Sequence, residues 1–157
     1  MNVFCILTTP RCILTQASLE DADAFYEIIN SDDCHMNMPE FYSAFHRKED
    51  VKRFIQVFFK YWKHGNGILW TIRNHSNVIG FIGIMDIPDN ATLFYATHPQ
   101  FRNKGYMKES VISCIEYFRE KFADVPIRTV VFEDNMPSLK ILANTTVKID
   151  LRNRNNP

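Results

Sequence analysis

Tyr95, Ala96 and Thr97 end an aromatic and β-branched run, and Arg102, Asn103, Lys104, Gly105, Tyr106 and Met107 then lead into an apolar-periodic stretch. A helix that starts at Gly105 would leave several main-chain N–H groups without intrahelical partners at its positive dipole end, which suits a phosphate. Gly105 has no side chain to hold an anion away. Arg102, Lys104 and Lys108 add local positive charge to a chain whose formal net charge is zero. The competing reading of R-x-x-G is a basic, solvated turn before a helix. A second cluster, Asn135-Met136-Pro137-Ser138, follows the next strand-like run. Ser138 is either a hydroxyl donor for a developing anion or a first-turn residue bonding nearby backbone, and Asn135 has the equivalent choice of a helix cap. Glu133 and Asp134 fit a general base or a dipole-stabilising pair.

Periodicity supplies the elements that would position these residues. Arg11–Gln16 alternates as a strand, and Ser18 opens a helix with Glu20 and Asp21 in its first turn and Leu19, Ala22, Tyr26 and Ile29 on its buried face. Ser31–Phe45, which contains Pro39, reads as an irregular loop. Val51, Phe54, Ile55, Phe58 and Trp62 form a second amphipathic stripe, stopped by Gly65 and Gly67. Ile68–Arg73, Val78–Asp86 and Ala91–Thr97 predict an antiparallel meander. Gly105–Phe122 is a third helix with Met107, Val111, Cys114, Ile115, Phe118 and Phe122 inward and Glu109 outward, and Ile127–Phe132 is a further strand. A helix between those last two strands is what a parallel crossover requires. A short fourth helix near Pro137–Asn144 and a strand Thr146–Leu151 complete the series.

The chain has 157 residues, 46% of them hydrophobic, which suffices for one domain spanning 1–157 with a real core. Zero net charge removes the broad attraction on which nucleic-acid or anionic-membrane binding depends. No apolar run approaches the roughly 20 residues of a membrane helix, so a cytoplasmic protein is expected. Cys5, Cys12, Cys34 and Cys114 show no C-x-x-C pair, and the five histidines no H-E-x-x-H pattern, so no metal is expected.

Arg102, Gly105, Tyr106, Met107 and Glu109, with Asn135 and Ser138 after the next strand, resemble the GNAT acetyltransferase family, in its RimJ/RimL-like branch. The resemblance runs from about Thr9 to Leu142 and takes in Pro10-Arg11-Cys12-Ile13-Leu14, Leu19-Glu20-Asp21-Ala22 and Ile79-Gly80-Phe81-Ile82-Gly83. It implies an α/β (α+β) fold, a mixed, mostly antiparallel sheet of about six strands flanked by four helices. It implies transfer of an acetyl group from acetyl-CoA to a primary amine, either a protein N-terminal α-amino group or a small amine. The main-chain N–H groups of Asn103–Met107 would hold the pyrophosphate, and Tyr95, Ala96 and Thr97 would pair with the pantetheine arm. Asn135 would lie near that arm, and Ser138 near the thioester sulfur as the catalytic acid.

Two departures from the family pattern stand out. Leu142 occupies the place of the family's frequent tyrosine acid, and Ala143-Asn144-Thr145-Thr146 replaces the usual Gly-Phe pair, with one strand following instead of two. An open sheet edge there calls for cover or for a homodimer through it. An acyl-CoA-binding module with weak or no transfer activity is the alternative, and a ligand-free interaction domain a third.

Overall fold

Long alternating and β-branched runs set the sheet. The computed structural model describes residues 4–155, and among these a seven-stranded sheet runs in chain order: β1 (Leu7–Thr8), β2 (Ile13–Gln16), β3 (Gly67–Asn74), β4 (Asn77–Met85), β5 (Ala91–Thr97), β6 (Ile127–Phe132) and β7 (Lys148–Arg152). The strands β1 to β5 pair antiparallel. The last two join parallel, one after another, each reached through a helix. The sheet has one strand more than expected because β1 is only two residues long, below the length at which alternation can be read.

Six α-helices flank it: α1 (Ala22–Ile29), α2 (Asp32–Asn37), α3 (Pro39–Ala44), α4 (Lys48–His64), α5 (Tyr106–Lys121) and α6 (Met136–Leu142). Of these, α2 and α3 replace the loop expected over 31–45. Ser31 caps α2 by accepting from the Cys34 N–H, and Pro39 sits at the first position of α3, where a missing N–H removes no helical bond. Each is too short to show a hydrophobic period.

The core forms two layers, one on each sheet face. Side chains alternate across β3 and β4, so Leu69 and Phe81 meet Phe25, Ile29, Val51, Ile55 and Phe58 of α1 and α4. Trp70, Ile82 and Ile84 meet Met107, Val111, Cys114 and Phe118 of α5. Each fully buried residue of this size contributes roughly 1.5–3 kcal/mol. The α1 face is Ala22, Phe25, Ile28 and Ile29. Leu19 lies in a 3-10 turn ahead of the helix and is exposed, so the helical period does not extend back to it. Asp21, buried beneath α1, accepts from the Thr71 hydroxyl at 2.7 Å and from Arg73, so its charge is paired. Among the described residues no helix is long and apolar enough to cross a membrane.

Candidate functional site

The two flanks of β5 differ. With β4 it pairs at six positions, Gly80↔Thr97 through Met85↔Thr92. With β6 it pairs only at Ala91↔Ile127 and Thr92↔Arg128, after which the strands part. The His98 N–H donates to the Ile79 carbonyl at 2.7 Å. In an antiparallel ladder of this register, that bond turns the main chain of Phe94 and Ala96 toward β4, and that of Leu93, Tyr95 and Thr97 toward the opening. Two of the carbonyls on that side are occupied. Leu93 accepts from the buried Thr129 hydroxyl at 2.8 Å, and Thr97 from the Arg102 guanidinium at 3.2 Å. Tyr95 is left with its N–H and C=O facing the wedge.

A cleft of about 870 Å³ occupies the wedge and reaches the start of α5, lined by Asn103, Gly105, Tyr106, Met107 and Lys108 at one end and Asn135 and Ser138 at the other. Gly105 is the N-cap of α5 with φ +80°, a left-handed conformation that glycine adopts without a steric penalty. Its carbonyl receives the first helical bond, from the Glu109 N–H at 3.2 Å. The Tyr106, Met107 and Lys108 N–H groups have no partner among the described residues, and no side chain caps the turn. Open donors at a helix start have the chemistry to receive an anion.

Arg102 lines the cleft, and its guanidinium is already engaged. Its guanidinium turns back to donate to Ser31 Oγ at 3.2 Å and pairs with Asp33 at 3.4 Å, tying the loop to the first turn of α2. Lys104 Nζ lies 5.8 Å from the centre of the Phe101 ring. Arg11, which had no site role in the sequence reading, also lies at the turn, outside the cleft lining to which Arg102 and Lys108 belong. It lies over the Tyr106 ring at 4.3 Å, and a Cβ on Gly105 would fall 3.0 Å from its Nη2. Glu109 holds it there.

The expectation that Glu109 faces outward is therefore corrected. Its side chain is 16% exposed and accepts from the Arg11 guanidinium at 2.6 Å, the Arg11 N–H at 3.0 Å and the Thr9 hydroxyl. Burial works to raise this carboxyl, but the bonds from Thr9 and Arg11 outweigh it and hold it below the ordinary range. Helical phase alone missed the contact, because the turn between β1 and β2 reaches over α5 to make it.

At the other end, Asn135 caps α6, accepting from the Ser138 N–H at 3.4 Å. Ser138 Oγ is 2.6 Å from the Tyr95 phenolic oxygen. Burial pushes that phenol up to about 12, against a smaller opposing effect of the serine. Leu142 is packed in the core. Glu133 accepts from Asn153, and Asp134 from Arg154 at 2.7 Å, both in exposed contacts outside the cleft lining.

Residues 11–145 match the family described as the acetyltransferase (GNAT) domain. Among curated proteins, the uncharacterized N-acetyltransferase YoaA of Bacillus subtilis (strain 168) is 27% identical over 148 residues, covering 89% of this chain and 81% of its own. Among solved structures, RimL, a ribosomal L7/L12 alpha-N-protein acetyltransferase in complex with coenzyme A, aligns with a TM-score of 0.76 at 14% identity, over 87% of this chain and 80% of that one. RimJ of Mycobacterium smegmatis, in complex with CoA-disulfide, gives 0.71 at 17% identity, over 88% and 72%. Identities this low carry the fold alone.

Proposed function

Because this chain belongs to the GNAT acetyltransferase family, we propose that it moves the acetyl group of acetyl-CoA to a primary amine by direct attack on the thioester, the acceptor being a protein N-terminal α-amino group or a small amine. The observation that carries this reading is the juxtaposition of an uncapped helix start with a wedge in the sheet, within one cleft. In it, the N–H groups of Asn103–Met107, joined by that of Lys108, hold the pyrophosphate near the Arg102 and Lys108 side chains, and the Tyr95 main chain pairs with the pantetheine arm.

The acceptor must attack as a neutral amine, since an ammonium has no free electron pair. Its displaced proton leaves through water. An inward main-chain N–H of β5 meets the oxyanion as it develops, and Ser138 meets the departing sulfur. A thiol has an ordinary pKa of about 8.5, so the leaving group needs only modest assistance at neutral pH. RimL, which shares the fold, is described as an alpha-N-protein acetyltransferase, and the peptide arm of the test below probes that class of acceptor against small amines.

Thermal denaturation with coenzyme A tests the donor half. Ligand at about 100 times Kd should stabilise by about 2.7 kcal/mol, adenosine should give far less, and Gly105→Glu, which places an acid at the turn, should abolish the response. No shift with coenzyme A rejects the reading. Thiol release from acetyl-CoA with a peptide and a small-amine panel then tests transfer, and stabilisation without turnover would reduce the protein to a binder.

A further inference from the structure

We infer that the Tyr95 phenol is a positioning group for Ser138: it donates its hydrogen to Ser138 Oγ and so turns the serine O–H toward the sulfur leaving the thioester. This rests on the acetyl-transfer reading above. The two oxygens are 2.6 Å apart and come from β5 and α6, whose only connection in sequence runs through α5 and β6. Distance alone allows either hydroxyl to be the donor, and chemistry selects the phenol.

A phenol is the more acidic of the two groups and the better donor. Its oxygen has no other hydrogen-bond partner among the described residues. If serine were the donor, the phenolic hydrogen would have no protein acceptor among the described residues. With tyrosine as donor, Ser138 accepts, and its own hydrogen is free for whatever enters the cleft it lines. Because burial raises the phenol to about 12, it stays protonated through the neutral range and keeps this role.

The step balances without either hydroxyl losing a proton. Nitrogen forms the C–N bond, the C–S bond breaks, and its electron pair stays on sulfur. One proton passes from nitrogen to water, and one from water to sulfur. A phenol held that high is a poor acid toward a thiolate of about 8.5, so Tyr95 does not serve as the proton source. It strengthens the serine donor instead, since hydrogen bonds in series polarise one another.

The test uses the full chain and three variants, Tyr95→Phe, Ser138→Ala and the double substitution, with melting temperatures to confirm that each is folded. Tyr95→Phe should lower kcat roughly tenfold while leaving the KM for acetyl-CoA within about twofold, and the double variant should be no slower than Ser138→Ala. Multiplying effects would overturn the coupling. A second readout needs no turnover. The thiol of bound coenzyme A, followed by thiolate absorbance against pH, should titrate below its free value in the unmodified protein and move back up in Tyr95→Phe. If coenzyme A binds and its thiol is unshifted in every form, the Tyr95–Ser138 inference fails while the donor site stands. If coenzyme A does not bind, both fail.

Discussion

On one flank of β5 the sheet is closed so tightly that β4 needs a glycine, and on the other the strands part and a side chain bridges them. At Gly80 an added Cβ would meet the Ala96 carbonyl at 2.3 Å, whereas across the wedge the Thr129 hydroxyl reaches the Leu93 carbonyl in place of a strand partner. The same strand is therefore structural along one edge and cleft-facing along the other. Of the two residues, Gly80 stands out as a glycine inside a strand run, where it permits close approach of another backbone, whereas nothing in the sequence singles out Thr129.

The strongest way to break the contrast is on the closed flank. Gly80→Val forces β4 and β5 apart at a backbone contact, with Met107 Cε also 3.0 Å from the new Cβ. It should cost about 3 kcal/mol of stability, read from the denaturant midpoint. On the open flank, Thr129→Val keeps the volume but strands the Leu93 carbonyl, and should cost about 1–2 kcal/mol. An equal loss at the two sites would show that the flanks are energetically alike. The smallest effect sharpens the comparison at the end of the wedge. Glu109 is held below its ordinary value, so its contribution to stability is complete above that value, about 4.3, and is lost as pH falls through the lower folded one. The melting temperature of Glu109→Gln should therefore lie below that of the unmodified chain at pH 6, and the gap should close on acidification toward pH 3. A constant gap would place the carboxylate outside this linkage.

The turn before α5, the crossover through it and the cap at Asn135 were legible because each is local. Gly105, a basic loop and an apolar period lie within one short stretch, and Asn135 needs only the residues that follow it. What escaped was long-range or short in extent. Nothing in the sequence pairs Arg102 with the Asp33 carboxylate, and Arg11 comes to the turn only when Glu109 reaches across the fold. Tyr95 was read for its main chain, because nothing in the sequence says that its side chain meets Ser138. The helices α2 and α3 were missed because six residues give less than two turns, and what holds them is packing and ion pairs such as Arg152 with Glu40 at 2.6 Å.

The Thr129 bond also bears on how the donor enters. Since a side-chain hydroxyl already satisfies the Leu93 carbonyl, that carbonyl is closed to a guest strand, and pairing on this edge falls to the main chain of Tyr95.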